Sequence, residues 1–510
     1  MFERISFYPP PVLSLQNANA HDSVLRLDPL QKHPNADGTD YKKTTASARN
    51  IHIWSMKLLR NFFLGFVVFT FPFTIGVADD IVDLKAAYDL ARQNDPRFRI
   101  AYENYYANKA KQWQARASLG PSLSAMGSKN SNNQEYETDF FSFSQPTGSA
   151  RFESGEYTFS LRLPILNLGL YASLDQASAD VRRTNAEYIY ASQDTIMRVI
   201  EAYMGIIQAE ENLSLTNAES RSLRQTLEDA EGRIEAGFAT ISDVQDARSR
   251  YQQALAVDAE AANRLDDKIE ALREITGHRL EKIKALGEHL PLELPDPNNI
   301  DHWVKAALTN NQSLRAQMEA VNVAKIEITR SRTGHAPTLD FTGSLTRVDA
   351  DKSIAGPGTR TDNKVLSLQL NVPIFRSGLV LARTSEAVHK SNSVTEEYEA
   401  KRRATERFTR SAFLGTTGGI TKVNAGKQAV DAARLALEAK TEGYQSGVYT
   451  LLDVLNASRE LFRARLFYTE ARHNYIVSAF RLKLSVATLS EYDVTQLNHR
   501  LTSRSTTIHP

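Results

Sequence analysis

Hydrophobic and polar positions alternate with a period of two residues in four short segments of the chain. These segments lie near residues 121–129, 156–164, 337–347 and 364–373. In Leu366–Val372, for example, leucine and valine alternate with serine, glutamine and asparagine. Because alternate side chains of a strand point to opposite faces, the pattern predicts four β-strands with one apolar and one polar face.

Most of the remaining chain has helical spacing. Ile196, Val199 and Tyr203 share one helical face, and the absence of proline over residues 174–236 allows a helix of roughly 90 Å. The apolar stripe is narrow and rich in alanine, which is typical of coiled-coil packing. The sequence TTGG at Thr416–Gly419 lies in a second long helix. Since each glycine costs about 1 kcal/mol in a helix, we expect a local loosening or bend there.

The pattern of the first half recurs roughly 210 residues later, which indicates a tandem duplication. We predict a first repeat over residues 79–290, a proline-rich linker over 291–299 and a second repeat over 300–488. Residues 489–510 would form a C-terminal tail. The predicted fold is therefore mainly α-helical with a smaller β part, and each repeat contributes two of the four strands.

The N-terminal region has a different character. Residues 56–78 combine a basic start, an apolar core and small residues before an acidic pair, which is typical of a secretory signal peptide. A single-pass membrane anchor is the alternative, although the apolar run is short for one. Because signal peptides stand at the true N-terminus, we expect residues 1–55 to be a spurious or disordered extension and the mature chain to begin near Asp79.

Composition excludes several classes of function. The 510-residue chain has a formal net charge of +1, so it lacks the basic surface expected of a nucleic-acid-binding protein. It has no cysteine, which excludes disulfides, thiolate metal sites and a lipidated N-terminal cysteine. Its 11 histidines have no metal-binding spacing, and no nucleophile or phosphate-binding motif occurs. We therefore expect no enzyme activity, no metal and no cofactor.

One motif is repeated more clearly than the rest, and it predicts a helix–turn–helix corner near residues 237–243 and again near 447–453. Each corner has a glycine that suits the left-handed end of a helix, followed by a threonine and an aspartate spaced as a capping box. These residues are Gly237, Thr240 and Asp243 in the first corner and Gly447, Thr450 and Asp453 in the second.

Four strands with one apolar face suit a membrane barrel. An open sheet edge cannot lie in a bilayer, and four strands are too few to close, so several protomers would have to share one barrel. Two ordinary hairpins packed on the helices are the alternative. An exported coiled-coil protein for structure or adhesion, without a pore, is the alternative function.

The duplicated strand–helix pattern, the two corner motifs and the segment Leu265–Gly277 closely resemble the TolC family of outer-membrane exit ducts. The resemblance covers about residues 80–490 and implies a homotrimer in the Gram-negative outer membrane. Each protomer would give four strands to a twelve-stranded β-barrel and its helices to a coiled-coil tunnel across the periplasm. The implied partners are a periplasmic adaptor and an inner-membrane transporter of ABC or RND type. The cargo would be small toxic molecules or secreted proteins.

In the TolC family the corners close the periplasmic end of the tunnel, and the resemblance assigns gating roles to six residues. They are Ser242, Asp243, Tyr444, Tyr449, Asp453 and Asn456. Ser242 and Asp243 would tether the second corner, and Tyr444 would hydrogen-bond to Asp243. Asp453 would face the pore, where three symmetry-related carboxylates would repel one another and raise their pKa values.

Two of these positions depart from the family pattern. Tyr449 stands where the family has an arginine, and Asn456 stands where it has a second aspartate. We therefore expect an aperture that opens more easily than one with an arginine bridge and two rings of aspartate. Arg248, Arg250 and Arg459 are candidates for adaptor contact, although a solvated helix face is the favoured explanation for them.

Overall fold

The computed structural model describes residues 81–136, 148–280, 282–287, 290–353 and 356–507. The expected extension over 1–55 and the expected signal peptide over 56–78 lie outside the described residues. Within the described ranges, no helix is both long enough and apolar enough to cross a membrane.

The succession helix–helix–strand–strand–helix–helix occurs twice along the described chain. It first comprises α1 (Leu84–Asn94), α2 (Pro96–Ala117), β1 (Ser122–Tyr136), β2 (Gly148–Asn167), α3 (Leu168–Glu235) and α4 (Ile241–Thr276). A short strand, β3 (Lys282–Leu286), follows. The second succession comprises α5 (Ile300–Asn310), α6 (Gln312–Arg332), β4 (Thr338–Ser353), β5 (Gly356–Asn371), α7 (Leu379–Gln445) and α8 (Leu451–Ser485). The chain then forms α9 (Glu491–Asn498) and β6 (Leu501–Thr507).

The four long strands form one antiparallel sheet in the order β1-β2-β4-β5. Neighbouring strands pair over nearly their whole length, with Leu161 opposite Gly343 and Phe341 opposite Leu368. The apolar face is exposed in the protomer, and Leu123 and Phe159 are among its exposed side chains. Strands β1 and β5 are the edges of this sheet.

Each long strand extends beyond the alternating segment that predicted it. Strand β1 continues to Tyr136 and β5 already begins at Gly356, whereas alternation predicted only residues 121–129 and 364–373. The extensions read SKNSNNQEY in β1 and GPGTRTDNK in β5, which are polar on both faces. Periodicity cannot detect such residues, because the backbone pairing rather than an apolar face holds them in the sheet.

The C-terminal tail is ordered differently from the sequence-based expectation. Strand β6 pairs antiparallel with β3, so residues that follow the second repeat complete a two-stranded sheet with the first. The hydroxyl of Tyr203 attaches this sheet to α3. It accepts a hydrogen bond from the Lys284 N–H at 2.9 Å and donates one to the Val82 carbonyl oxygen at 3.1 Å. The sequence LTSRSTT of β6 gives no apolar alternation that would have predicted a strand.

The long helices pair into two hairpins, the first formed by α3 and α4 and the second by α7 and α8. Helix α7 is continuous through Thr416–Gly419, so the helix does not unwind at TTGG. A Cβ built at Gly419 would stand 3.1 Å from Cβ of Tyr475 in α8. Glycine therefore lets α8 approach closely here, and the packing offsets the low helix propensity.

Candidate functional site

Both corners are built from the same local interactions. Gly237 and Gly447 have φ angles of +80° and +78°, the left-handed conformation that glycine adopts without strain. In the first corner, the Asp243 carboxylate accepts hydrogen bonds from the Thr240 N–H at 2.9 Å and hydroxyl at 2.7 Å, and the Asp243 N–H donates back to that hydroxyl. Thr450 and Asp453 repeat this capping box in the second corner.

A shared apolar cluster, here called the corner cluster, joins the two hairpins next to their corners. Leu451 and Leu455 of α8 are buried against α3 and α4. The buried residues from the first hairpin are Leu223, Ala230, Val244, Ala247 and Ala254. Because burying a leucine side chain stabilises a protein by about 1.5–3 kcal/mol, this contact helps to hold the two corners together.

Tyr444 also joins the hairpins, but by a different contact from the expected one. Within the described residues, no hydrogen bond joins its hydroxyl to Asp243, and Oδ2 of that carboxylate accepts two hydrogen bonds from Thr240. Instead, the guanidinium of Arg233 in α3 lies 4.6 Å from the centroid of the Tyr444 ring. The tether is therefore a cation–π contact, which depends on the ring rather than on the hydroxyl.

Asp453 lies at the start of α8, with its side chain partly exposed. The hydrogen bonds from the Thr450 hydroxyl and N–H hold the pKa of this carboxyl below its ordinary value, and Lys440 adds a weaker attraction. This direction is opposite to the raised pKa expected for a ring of carboxylates, because in one protomer the helix cap stabilises the charged form.

The remaining corner residues differ in their surroundings. The ring of Tyr449 folds back over the end of α7, where a Cβ at Gly443 would meet it. Ser242 is exposed in the first turn of α4. The Asn456 carbonyl oxygen accepts a hydrogen bond at 2.9 Å from the guanidinium of Arg250, which belongs to α4 of the other hairpin. The family pattern gave no reason to expect this pair.

The family described as Outer membrane efflux protein matches residues 87–278 and 303–488, and these two stretches coincide with the two successions of helices and strands. The chain belongs to the outer membrane efflux protein family. This confirms the resemblance drawn from the corner motifs. The chain is accordingly an outer-membrane exit duct whose long helices lie in the periplasm, and members of this family are channels rather than enzymes.

Two curated relatives and one solved structure illustrate the similarity. Outer membrane protein TolC of Escherichia coli strain K12 is 29% identical over 430 residues, which cover 82% of this chain and 85% of that protein. Alkaline protease secretion protein AprF of Pseudomonas aeruginosa is 26% identical over 430 residues, covering 83% and 86%. The Campylobacter jejuni CmeC outer membrane channel superposes with a TM-score of 0.70 at 14% identity, covering 82% and 90%. The similarity to the CmeC structure is evidence for the fold of this chain.

Further from the corners, contacts between polar side chains also join the hairpins of this outer membrane efflux protein, and one of them places Arg472 of α8 4.0 Å from Glu211 of α3. The buried His473 imidazole of α8 lies 3.3 Å from the Glu211 carboxylate of α3. Nearer the C-terminal end of α8, Arg481 donates to Glu201 at 2.8 Å. Sequence reasoning missed these contacts, although His473 stands in the apolar stripe of α8, a position where a polar side chain indicates a buried partner.

Of the three arginines considered for adaptor contact, Arg250 is the one that hydrogen-bonds to the other hairpin within the part of the chain that the structure describes. Arg248 forms an ion pair at 2.8 Å with Glu231 of its own hairpin. Arg459 lies 3.8 Å from its neighbour Glu460. Arg248 and Arg250 are two residues apart in α4, but Arg248 binds within its own hairpin whereas Arg250 binds the other hairpin.

Proposed function

We propose that this outer membrane efflux protein is the trimeric exit duct of a tripartite export machine, and that the two corners form its periplasmic aperture. The observation that carries the proposal is the corner cluster, in which Leu451 and Leu455 of the second corner are buried against the first hairpin. A shut aperture requires the second hairpin to be held against the first, and an open one requires this contact to be released.

The sheet supports the trimeric barrel. Within the described residues its edge strands are β1 and β5, and it has an exposed face rich in leucine, valine and aromatic residues. A bilayer tolerates such a face but not unpaired strand edges. If β1 of one protomer pairs with β5 of the next, three protomers close a twelve-stranded barrel and leave no edge.

In the proposed aperture the six corner residues have distinct roles. Asp453 supplies a ring of three carboxylates at the mouth, and Asn456 and Tyr449 supply polar but uncharged surface beside it. Asp243 and Ser242 belong to the first corner, which acts as the fixed support. Tyr444 holds the second corner to this support through Arg233.

Exposed apolar residues at the corners support the binding of a partner. Phe238 is 81% exposed and Val448 is 74% exposed, although each would be better buried. A periplasmic adaptor that covers these tips would remove the apolar surface from water and could supply the energy for opening. The adaptor would in turn connect the duct to an inner-membrane transporter of ABC or RND type.

We infer that the cargo includes small toxic molecules, unfolded secreted proteins or both. The family is described by efflux, whereas AprF is named for protease secretion and has similar coverage. The duct itself would impose little selection, because the inner-membrane partner chooses the cargo.

Single-channel recording of the purified, signal-cleaved protein in a planar bilayer tests the proposed function. We expect a protein that needs detergent for extraction, runs as a trimer and gives a small conductance that Asp453→Ala enlarges. A large conductance that Asp453→Ala leaves unchanged would place the aperture elsewhere. A protein that is soluble without detergent and gives no conductance would support the exported coiled-coil alternative instead.

A further inference from the structure

We propose that Arg250 sets the ion selectivity of the aperture and latches the second hairpin to the first. The proposal rests on the proposed function, because it requires the two corners to form the mouth of the duct. The family has an arginine that bridges the helices at the position of Tyr449. We assign this bridging role to Arg250, which lies on the other hairpin.

The latch is visible in a single hydrogen bond. Nη2 of Arg250 in α4 donates to Oδ1 of Asn456 in α8 at 2.9 Å, and both side chains are partly buried. Of the hydrogen bonds that join the two hairpins within the described ranges, this one lies nearest to the corners. A guanidinium suits the task, since its planar fork loses little entropy when it bonds an amide oxygen.

The same bond fixes a positive charge beside the pore-facing carboxylate. Asn456 follows Asp453 by three residues, so the two side chains are neighbours on one face of α8. The Arg250 charge is therefore about one helical turn and one hydrogen bond away from the Asp453 carboxylate. This separation is comparable to the Debye length of about 8–10 Å at physiological salt, so salt only partly screens the two charges from each other.

A nearby carboxylate, Glu219 of α3, cancels the Arg250 charge only in part. Burial raises the pKa of Glu219 to about 7, and the attraction of Arg250 opposes this rise. Near neutral pH, Glu219 is therefore protonated in a large fraction of the molecules. A substantial part of the Arg250 charge remains to act on the mouth.

The consequence is an aperture with opposed charges. Three Asp453 carboxylates attract cations, while three Arg250 guanidiniums behind Asn456 reduce this attraction. We therefore expect a duct with weaker cation selectivity than its carboxylate ring alone would give. Asn456, which looked like a lost aspartate in the sequence, is the acceptor that holds the guanidinium in place.

Reversal potentials in a KCl gradient test the proposal, using detergent-purified trimers in planar bilayers. Arg250→Gln should raise the cation-to-anion permeability ratio severalfold and lengthen the open time. Arg248→Gln is the matched control, because Arg248 forms its ion pair with Glu231 of its own hairpin. It should leave both quantities unchanged. Arg250→Lys, which keeps the charge, should keep the wild-type permeability ratio, and Asn456→Ala should lengthen the open time.

The outcomes separate this inference from the proposed function. If Asp453→Asn lowers the permeability ratio but Arg250→Gln leaves it unchanged, the aperture stands and the role of Arg250 is wrong. Equal effects of Arg250→Gln and Arg248→Gln would also overturn it, since they would reflect general surface charge. If Asp453→Asn has no effect, the aperture itself is misplaced. A raised ratio in Arg250→Lys would contradict the electrostatic role even if Arg250→Gln failed to assemble.

Discussion

The two corners share one backbone design but have opposite surroundings. Ile241 in the first turn of α4 is 65% exposed, whereas Leu451, its counterpart in α8, is only 4% exposed. Gln245 is exposed, whereas its counterpart Leu455 is 2% exposed. The capping boxes and the glycine turns are the same in both.

This difference shows that the cap determines the shape of a corner and the following turn of helix determines its role. A capping box is local, so duplication preserves it in both repeats. Burial depends on the neighbouring hairpin, and only the second corner has leucines that fit against one. The second corner is therefore the one that a latch can hold or release, and the first is its support.

Truncating the buried leucine should break the asymmetry most strongly. We expect Leu455→Ala to cost about 2–5 kcal/mol of local stability, because it leaves a cavity in the corner cluster. Hydrogen exchange of the amides at the start of α8 measures this local opening. The matched substitution in the first corner, Gln245→Ala, should change the free energy of local opening by less than about 0.5 kcal/mol. Equal protection losses in the two variants would show that the corners are equivalent.

The tyrosine contact provides a smaller and more selective test. Tyr444→Leu should weaken the latch by about 1 kcal/mol, since it removes the ring that faces Arg233. Tyr444→Phe keeps the ring and should behave as wild type in open time and in hydrogen exchange. If Tyr444→Phe opened the duct as far as Tyr444→Leu, the hydroxyl would be the tether, as the family resemblance implied.

The capping threonines test the part that the corners share. Thr240→Ala and Thr450→Ala should each destabilise the start of their helix by about 1 kcal/mol, because the two capping boxes have the same geometry. Only Thr450→Ala should also alter channel conductance, since it frees the Asp453 side chain. A conductance change from Thr240→Ala would show that the first corner lines the mouth as well.

The smallest expected effect concerns pH. Because burial raises the pKa of Glu219 from 4.5 to about 7, the folded chain binds this proton more tightly than the unfolded chain. The corresponding stability is present below about pH 4.5 and is lost as the pH rises through 7. Glu219→Gln should therefore flatten the fall in thermal unfolding midpoint between about pH 5 and 8.

Arg250 of α4 is the charged group that faces Glu219, so its attraction reduces this loss. The control is Glu228→Gln, on the same helix, whose carboxylate forms an exposed ion pair with Arg224. This control should keep the wild-type pH dependence. If Glu219→Gln also kept it, Glu219 would titrate as an ordinary exposed carboxyl.

The sequence predicted those features that depend on local pattern. Alternation identified all four long strands, and the glycine–threonine–aspartate spacing identified both corners, because each signal lies within about ten residues. It could not reveal the polar extension of β1 or the pairing of β6 with β3, which depend on backbone bonds to distant segments. It also missed the bond between Arg250 and Asn456, because a surface arginine acquires such a partner only when two hairpins meet.

The most direct test of the account compares one carboxylate from each corner. Reversal potentials and single-channel conductance would be recorded for wild type, Asp453→Asn and Asp243→Asn under the same salt gradient. Both substitutions remove one charge from a capping box of the same geometry. The account predicts that Asp453→Asn lowers cation selectivity and that Asp243→Asn leaves it near the wild-type value. Equal effects, or a larger effect from Asp243→Asn, would contradict the claim that the second corner alone forms the mouth of the duct.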